Sequence, residues 1–231
     1  MPDSPIGATV FDLNGVIVDS EHVWDAAREA LARERGGRWH EDAQQDMMGM
    51  SVVEWSRYMH DVIGLADRPK EISAEVVRRL ESTYREELPL VAGAAEAVAR
   101  LAERWPLAVA SSNRPVIDLV LGLSGLHRFF QATVSSEEVP RGKPAPDVYL
   151  ESARRLGVDP ERCAAVEHSR NGILSAGAAG MRVVAIPNKR FPPAGRRGAR
   201  SGRGRAPFHH RTHAARCGGG LTLGARTAVP K

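Results

Sequence analysis

Residues 10–20 are Val-Phe-Asp-Leu-Asn-Gly-Val-Ile-Val-Asp-Ser, an apolar stretch that contains two acids, Asp12 and Asp19. The run over 7–12 is short and apolar and ends in an acid, which predicts a buried strand followed by a carboxylate. From Asp19 to about Arg35 the apolar residues recur with helical spacing, and two glycines end that pattern. Asp12 therefore closes a buried strand and is the first candidate functional residue.

The remaining chain divides into two parts by its apolar pattern. Helices without an intervening strand are predicted near 51–63 and 71–88, which indicates a separate helical module over 19–88. After Pro89 strands and helices alternate, which predicts a parallel sheet covered on both faces. The predicted strands lie at 107–111, 131–134, 163–167 and 182–186, and the predicted helices at 93–104, 114–123, 146–156 and 171–180. We expect a doubly wound α/β core formed by 1–18 and 89–190.

Three polar residues fall at carboxyl ends of predicted strands, namely Asp12, Ser111 and Glu167. Ligands of open parallel sheets bind beyond those ends. The sequence therefore predicts that these three side chains belong to one site.

Four motifs occur in chain order around these residues. They are Asp12-Leu13-Asn14-Gly15-Val16 with Asp19-Ser20, then Ala110-Ser111-Ser112-Asn113, then Arg141-Gly142-Lys143-Pro144-Ala145-Pro146-Asp147, and finally Val166-Glu167-His168-Ser169-Arg170-Asn171-Gly172-Ile173. In these motifs the chain resembles the haloacid dehalogenase superfamily, in its beta-phosphoglucomutase-like branch of phosphatases and phosphomutases. The resemblance spans roughly 8–190 and implies a Rossmann-like core with an inserted helical cap.

The resemblance implies a phosphoryl-transfer site that acts on a small phosphorylated metabolite through a phosphoaspartate at Asp12. The catalytic residues would be Asp12, Asn14 and Lys143; the phosphate-binding residues Ser111, Ser112, Asn113 and Lys143; and the ligands of a magnesium ion Asp12, Asn14, Glu167 and His168. The chemistry is consistent, because a carboxylate can form an acyl phosphate and a lysine with a helix N-terminus can neutralise the anion. Taken singly, the same residues also suit plain roles as loop or helix caps and a surface lysine.

Two residues depart from the family pattern. Asn14 stands where the family has an acid/base Asp, and an amide cannot exchange a proton near neutral pH, which costs about 10²–10⁴-fold in rate. His168 stands where the family has an Asp that binds metal, and histidine is a poor ligand for magnesium. We expect a weakened magnesium site and reduced activity. Alternatives are a transition metal at this site, a dehalogenase, or a non-catalytic descendant that still binds phosphate ligands.

The helical module at 19–88 resembles the small cap that closes over the site in this branch. Met50, Ser51 and Val52 match the cap segment that faces the catalytic centre, and they are predicted to contact substrate. Beta-phosphoglucomutase has a basic residue where this chain has Val52, which disfavours mutase activity. Ordinary core packing of the methionines is the alternative.

The overall net charge of +4 arises from the C-terminal segment. Of the 32 Lys and Arg, nine lie in 191–231 together with no acid, so 1–190 holds 23 against 28 Asp and Glu and carries about −5. The segment has eight glycines and no apolar period, which predicts disorder. We interpret it as the product of a reading-frame shift, a hypothesis that DNA sequencing tests; the alternative is a basic arm that binds nucleic acid.

Other features of the sequence limit the class of protein. No apolar run approaches the roughly 20 residues needed to span a bilayer, so no membrane partner is expected. Cys163 and Cys217 have neither disulfide-framework nor zinc spacing. No secretion signal is visible at the N-terminus, and a cytoplasmic location is expected.

Overall fold

A central parallel sheet organises the chain. The computed structural model describes residues 5–47 and 50–186, and its strands are β1 (Ala8–Phe11), β2 (Leu107–Ser111), β3 (Phe130–Ser135), β4 (Cys163–Glu167) and β5 (Arg182–Ala185). Their order is β3-β2-β1-β4-β5, and every pairing is parallel. This order, with helices between consecutive strands, confirms the predicted doubly wound α/β fold. Because β1 is central, its carboxyl end lies between those of β2 and β4.

Within the described residues, five helices lie between β1 and β2, and three more alternate with the later strands. The first five are α1 (Glu21–Glu34), α2 (Ala43–Met47), α3 (Val52–Asp61), α4 (Pro69–Glu86) and α5 (Ala94–Ala102); the others are α6 (Arg114–Ser124), α7 (Asp147–Leu156) and α8 (Arg170–Ala178). Short 3-10 turns at 126–129, 136–138 and 160–162 precede or follow strands. The helical stretch predicted between β1 and the second strand is therefore present, with the short α2 in addition.

Apolar side chains cover both faces of the sheet. On one face the buried alanines and valines of the strands pack with Val148 and Tyr149 of α7. On the other face a larger cluster joins Phe11 and Val109 to the helices between β1 and β2, including Trp55, which is 2% exposed. Replacing such a buried aromatic residue with alanine costs about 3–5 kcal/mol. The helical module thus shares an apolar core with the sheet.

The described residues belong to one compact unit. The division into a core at 1–18 and 89–190 and a cap at 19–88 therefore stays a prediction. None of the helices within the described ranges has the length and apolar character that a membrane span requires. The segment 191–231, predicted to be disordered and considered as a nucleic-acid-binding arm, lies outside the described residues.

Candidate active site

The carboxyl end of β1 presents Asp12 beside the ends of its two neighbouring strands. The Asp12 backbone amide donates to the Val166 carbonyl at 2.9 Å, which continues the pairing of β1 with β4 past the last strand residue. The Asp12 side chain is buried, with only 4% of the residue exposed. A carboxylate in that position requires positive partners, because burying an unpaired charge is costly.

Lys143 supplies the first positive partner. Its Nζ donates to Asp12 Oδ1 at 2.9 Å, to Glu167 Oε1 at 2.7 Å and to the Ala110 carbonyl at 3.1 Å. Burial alone would raise the pKa of Asp12, but the Lys143 charge lowers it below its usual value. Burial would conversely lower the pKa of Lys143, and the neighbouring carboxylates raise it well above normal. The pair is therefore ionised, with the ammonium at the end of the sheet.

Glu167, at the end of β4, is fully buried and fully hydrogen-bonded. Besides Lys143, its Oε1 accepts from the Tyr149 hydroxyl at 3.0 Å. Its Oε2 accepts from the backbone amides of His168 at 2.7 Å and Ser169 at 2.9 Å, and from the Ser169 hydroxyl at 3.1 Å. A Cβ on Gly172 would overlap Oε1, so that helix position has to be glycine. These contacts fix the carboxylate that positions Lys143.

His168 supplies a second positive partner to Asp12. Its Nδ1 lies 3.2 Å from Asp12 Oδ2, and its Nε2 lies 3.0 Å from Glu21 Oε1 at the start of α1. Burial lowers the pKa of His168, but the hydrogen bonds with the two carboxylates raise it to about 10. At neutral pH the ring is an imidazolium that donates from both nitrogens. A Cβ on Gly15, which has a φ of +66°, would overlap Cδ2 of the ring, so glycine makes room for it.

Asp12, Glu167 and His168 hold potential ligand atoms within 4.8 Å of one another, at the predicted position of the magnesium site. The donor set nevertheless does not suit Mg²⁺. A metal ion would have to displace the His168 proton that Asp12 and Glu21 stabilise, and the hard Mg²⁺ ion prefers oxygen ligands. Glu167 already accepts from five donors. The side-chain oxygen of Asn14 accepts from the Ser20 hydroxyl at 2.9 Å and thereby closes the loop after β1.

The predicted phosphate-binding residues follow β2. Ser111 is 1% exposed, and its hydroxyl has no hydrogen-bond partner among the described residues, so it is free to donate to an anion. The Asn113 side chain accepts from the Val116 amide at 3.1 Å and caps α6, and Ser112 between them is half-buried. The structure thus leaves Ser111 available and gives Asn113 a capping contact. The phosphate-binding role of all three stays a prediction.

The predicted substrate residues of the cap lie at the start of α3. The Ser51 hydroxyl accepts from the Glu54 amide at 3.3 Å, and the Glu54 carboxylate accepts from the Ser51 amide at 2.8 Å. Met50 and Val52 are partly buried against the apolar core. These contacts explain the local helix start, and the role of the three residues toward substrate stays a prediction.

Two residues of the cluster escaped the sequence analysis. Glu21 and Tyr149 come from the first turns of α1 and α7, and neither belongs to a motif that points to chemistry. The only sequence signal is their position, since both lie within ten residues of a motif residue, Asp12 or Lys143. Their side-chain directions follow from tertiary packing.

Comparison with known proteins identifies the family. Residues 6–180 match the haloacid dehalogenase-like hydrolase family. Hexitol phosphatase B of Escherichia coli (strain K12) is 34% identical over 200 residues, which cover 78% of this chain and 83% of that protein. Fructose-1-phosphate phosphatase YqaB of the same organism is 34% identical over 188 residues, covering 77% and 94%. The crystal structure of CbbY from Rhodobacter sphaeroides in complex with phosphate superposes with a TM-score of 0.70 at 26% identity, covering 79% and 87%. The chain therefore belongs to the haloacid dehalogenase-like hydrolases.

Proposed function

We propose that this protein hydrolyses the phosphate monoester of a small sugar or sugar alcohol through a covalent intermediate on Asp12. The observation that carries the proposal is the 2.9 Å contact between the Asp12 carboxylate and the Lys143 ammonium at the buried end of β1. That ammonium keeps the carboxylate ionised and adds positive charge beside it. The names of two relatives, a hexitol phosphatase and a fructose-1-phosphate phosphatase, support the substrate class.

The reaction then has two steps. An oxygen of Asp12 attacks phosphorus, the bond from phosphorus to the sugar oxygen breaks, and an acyl phosphate forms. Lys143 and the Ser111 hydroxyl, which has no partner in the described part of the chain, donate to the phosphoryl oxygens. Water then attacks phosphorus, inorganic phosphate leaves, and the Asp12 carboxylate is restored.

Proton transfer limits this reaction. The departing sugar oxygen has to gain a proton in the first step, and the attacking water has to lose one in the second. The Asn14 amide performs neither transfer, so both protons are exchanged with solvent, which lowers the rate by about 10²–10⁴-fold. Because His168 stands at the metal position as an imidazolium, we also propose that magnesium binds weakly at most.

The test is phosphate release from p-nitrophenyl phosphate, a hexitol phosphate and fructose 1-phosphate. The full-length protein should turn over slowly, EDTA should change the rate little, and Asp12→Asn should abolish it. Equal phosphate release by the parent and the Asp12→Asn variant would refute the proposal.

A second candidate is a phosphate-ligand-binding protein without turnover. The contact of His168 with Asp12 favours it, because the imidazolium occupies the second oxygen of the proposed nucleophile. This candidate replaces the first if calorimetry detects binding of a phosphate ester while no phosphate is released.

A further inference from the structure

A buried polar group within the helical module is left without its full complement of partners. Arg28 on α1 is 8% exposed, and its guanidinium carbon lies 5.1 Å from the Trp24 ring and 4.8 Å from the Trp55 ring. Its Nε has no hydrogen-bond partner within the described ranges. Its Nη1 lies 3.6 Å from Asp25 Oδ1, which is an ion-pair distance longer than a hydrogen bond. A guanidinium carries five N–H donors, so this one keeps donors to offer.

Asp25 and Gln44 complete the group, which we call the cap polar cluster (Asp25, Arg28 and Gln44). The Gln44 side chain on α2 donates to Asp25 Oδ2. Asp25 and Gln44 are half-buried, so the cluster is open to solvent on one side, whereas Arg28 is buried against the two rings. A carboxylate, an amide and a guanidinium held together present both acceptors and donors.

Two members of the cap polar cluster lie on the same face of α1 as Glu21, a residue of the catalytic centre. Glu21, Asp25 and Arg28 are spaced by four and three residues, which places them on the same side of a helix. Glu21 contacts His168, which contacts Asp12. At about 1.5 Å of rise per residue, Asp25 lies about 6 Å and Arg28 about 10.5 Å along the helix from Glu21. An extended six-carbon chain is about as long as one helical turn. A substrate chain that passes beside Glu21 can therefore reach the level of Asp25, and Arg28 Nη1 lies 3.6 Å from Asp25 Oδ1.

We infer that the cap polar cluster binds the hydroxyl groups of the substrate's carbon chain and selects a monophosphorylated polyol or sugar, an inference that rests on the proposed function. Hydroxyls both donate and accept, which matches a carboxylate beside an amide and a guanidinium. A second phosphate group does not suit the site, because the carboxylates of Glu21 and Asp25 lie on the same helix face as the Arg28 guanidinium. The cluster therefore favours neutral hydroxyls over a bisphosphate.

Calorimetry on the full-length protein carrying Asp12→Asn tests the inference without turnover. The probes are sorbitol 6-phosphate, fructose 1,6-bisphosphate and inorganic phosphate. The variants are Asp25→Asn and Gln44→Ala, at the two half-buried positions of the cluster. Arg28 is left unchanged, because replacing this buried residue risks misfolding. Gln45→Ala, at the exposed next position on α2, is the matched control. Both cluster variants should raise the Kd for sorbitol 6-phosphate about tenfold, with no change for inorganic phosphate or in the control.

The possible results separate the two proposals. If inorganic phosphate binds but sorbitol 6-phosphate binds no tighter, or if the cluster variants leave its Kd unchanged, the inference is wrong and the proposed function stands. Tighter binding of the bisphosphate than of sorbitol 6-phosphate also overturns it. If none of the three probes binds, the proposed function fails, and the inference fails with it.

Discussion

Restoring two carboxylates should convert this protein into a much faster, magnesium-dependent phosphatase. The variant is Asn14→Asp combined with His168→Asp. The carboxylate introduced at position 14 would provide the acid/base group that the amide lacks, which is expected to raise the rate about 10²–10⁴-fold. The change at position 168 would remove the imidazolium 3.2 Å from Asp12 Oδ2 and offer an oxygen ligand instead.

The same double substitution should also make the folded protein less stable when no metal ion is bound. Without His168, the carboxylates of Asp12 and Glu21 lose the cation that joins them, and the new side chain at position 168 adds a further negative charge. The double variant should therefore unfold at a lower temperature than the parent in EDTA. Magnesium at a hundred times its Kd should return about 2.7 kcal/mol of stability, whereas the parent should respond little.

The assay is kcat/KM for p-nitrophenyl phosphate with magnesium and with EDTA, together with thermal unfolding under both conditions. Each single variant and a triple variant that adds Asp12→Asn are the controls. A double variant that gains stability from magnesium and yet hydrolyses no faster than the parent would refute the roles given to Asp12 and Asn14. If the double variant does not fold, Asn14→Asp alone still has to increase the rate.

Three further predictions concern the groups around the site. Lys143→Met should destabilise the protein by about 3–5 kcal/mol in urea unfolding, because two buried carboxylates lose the ammonium that bridges them; a loss below about 1 kcal/mol would contradict the ion-pair geometry. Gly172→Ala should destabilise strongly, since its Cβ would overlap a Glu167 carboxylate oxygen, whereas Gly177→Ala on the same helix meets nothing within 4 Å and should be neutral or stabilising; equal effects in urea unfolding would be inconsistent with this packing. The pKa of His168 is raised from 6.5 to about 10 on folding, so its contribution should be complete below pH 6.5 and be lost as the pH rises toward 10. The difference in free energy of unfolding between the parent and His168→Gln should follow that trend, and a difference that grows with pH would show the sign to be wrong.

The strands were predictable because buried parallel strands are short apolar runs bounded by polar residues. Strands β2 and β4 have the same bounds in sequence and structure, 107–111 and 163–167. The short α2 was not predicted, because five residues contain too few turns for an apolar period to emerge. For Asn113 the sequence allows either phosphate binding or a helix cap, and the structure shows the capping contact with the Val116 amide.

The contacts around Asp12 were predictable only in part. That Asp12 and Lys143 would meet follows from the strand ends and the resemblance, and their side chains are 2.9 Å apart. The sequence predicts His168 to be a poor ligand at the metal site. Its contact with Glu21 depends on how α1 packs against the core, and no local sequence pattern indicates the distance between these two side chains.

The two departures at Asn14 and His168 are best understood together, as one change in the charge of the site. With an Asp at both positions, the site would hold five carboxylates, including Asp12, Glu21 and Glu167, against the single ammonium of Lys143, and a divalent cation would be needed to balance them. With Asn and an imidazolium, three carboxylates face two cations, and the hydrogen bonds of His168 supply the balance that a metal would otherwise supply. Reverting residue 168 alone should therefore cost more stability in EDTA than reverting residue 14 alone, because only the first reversion both removes a cation and adds an anion.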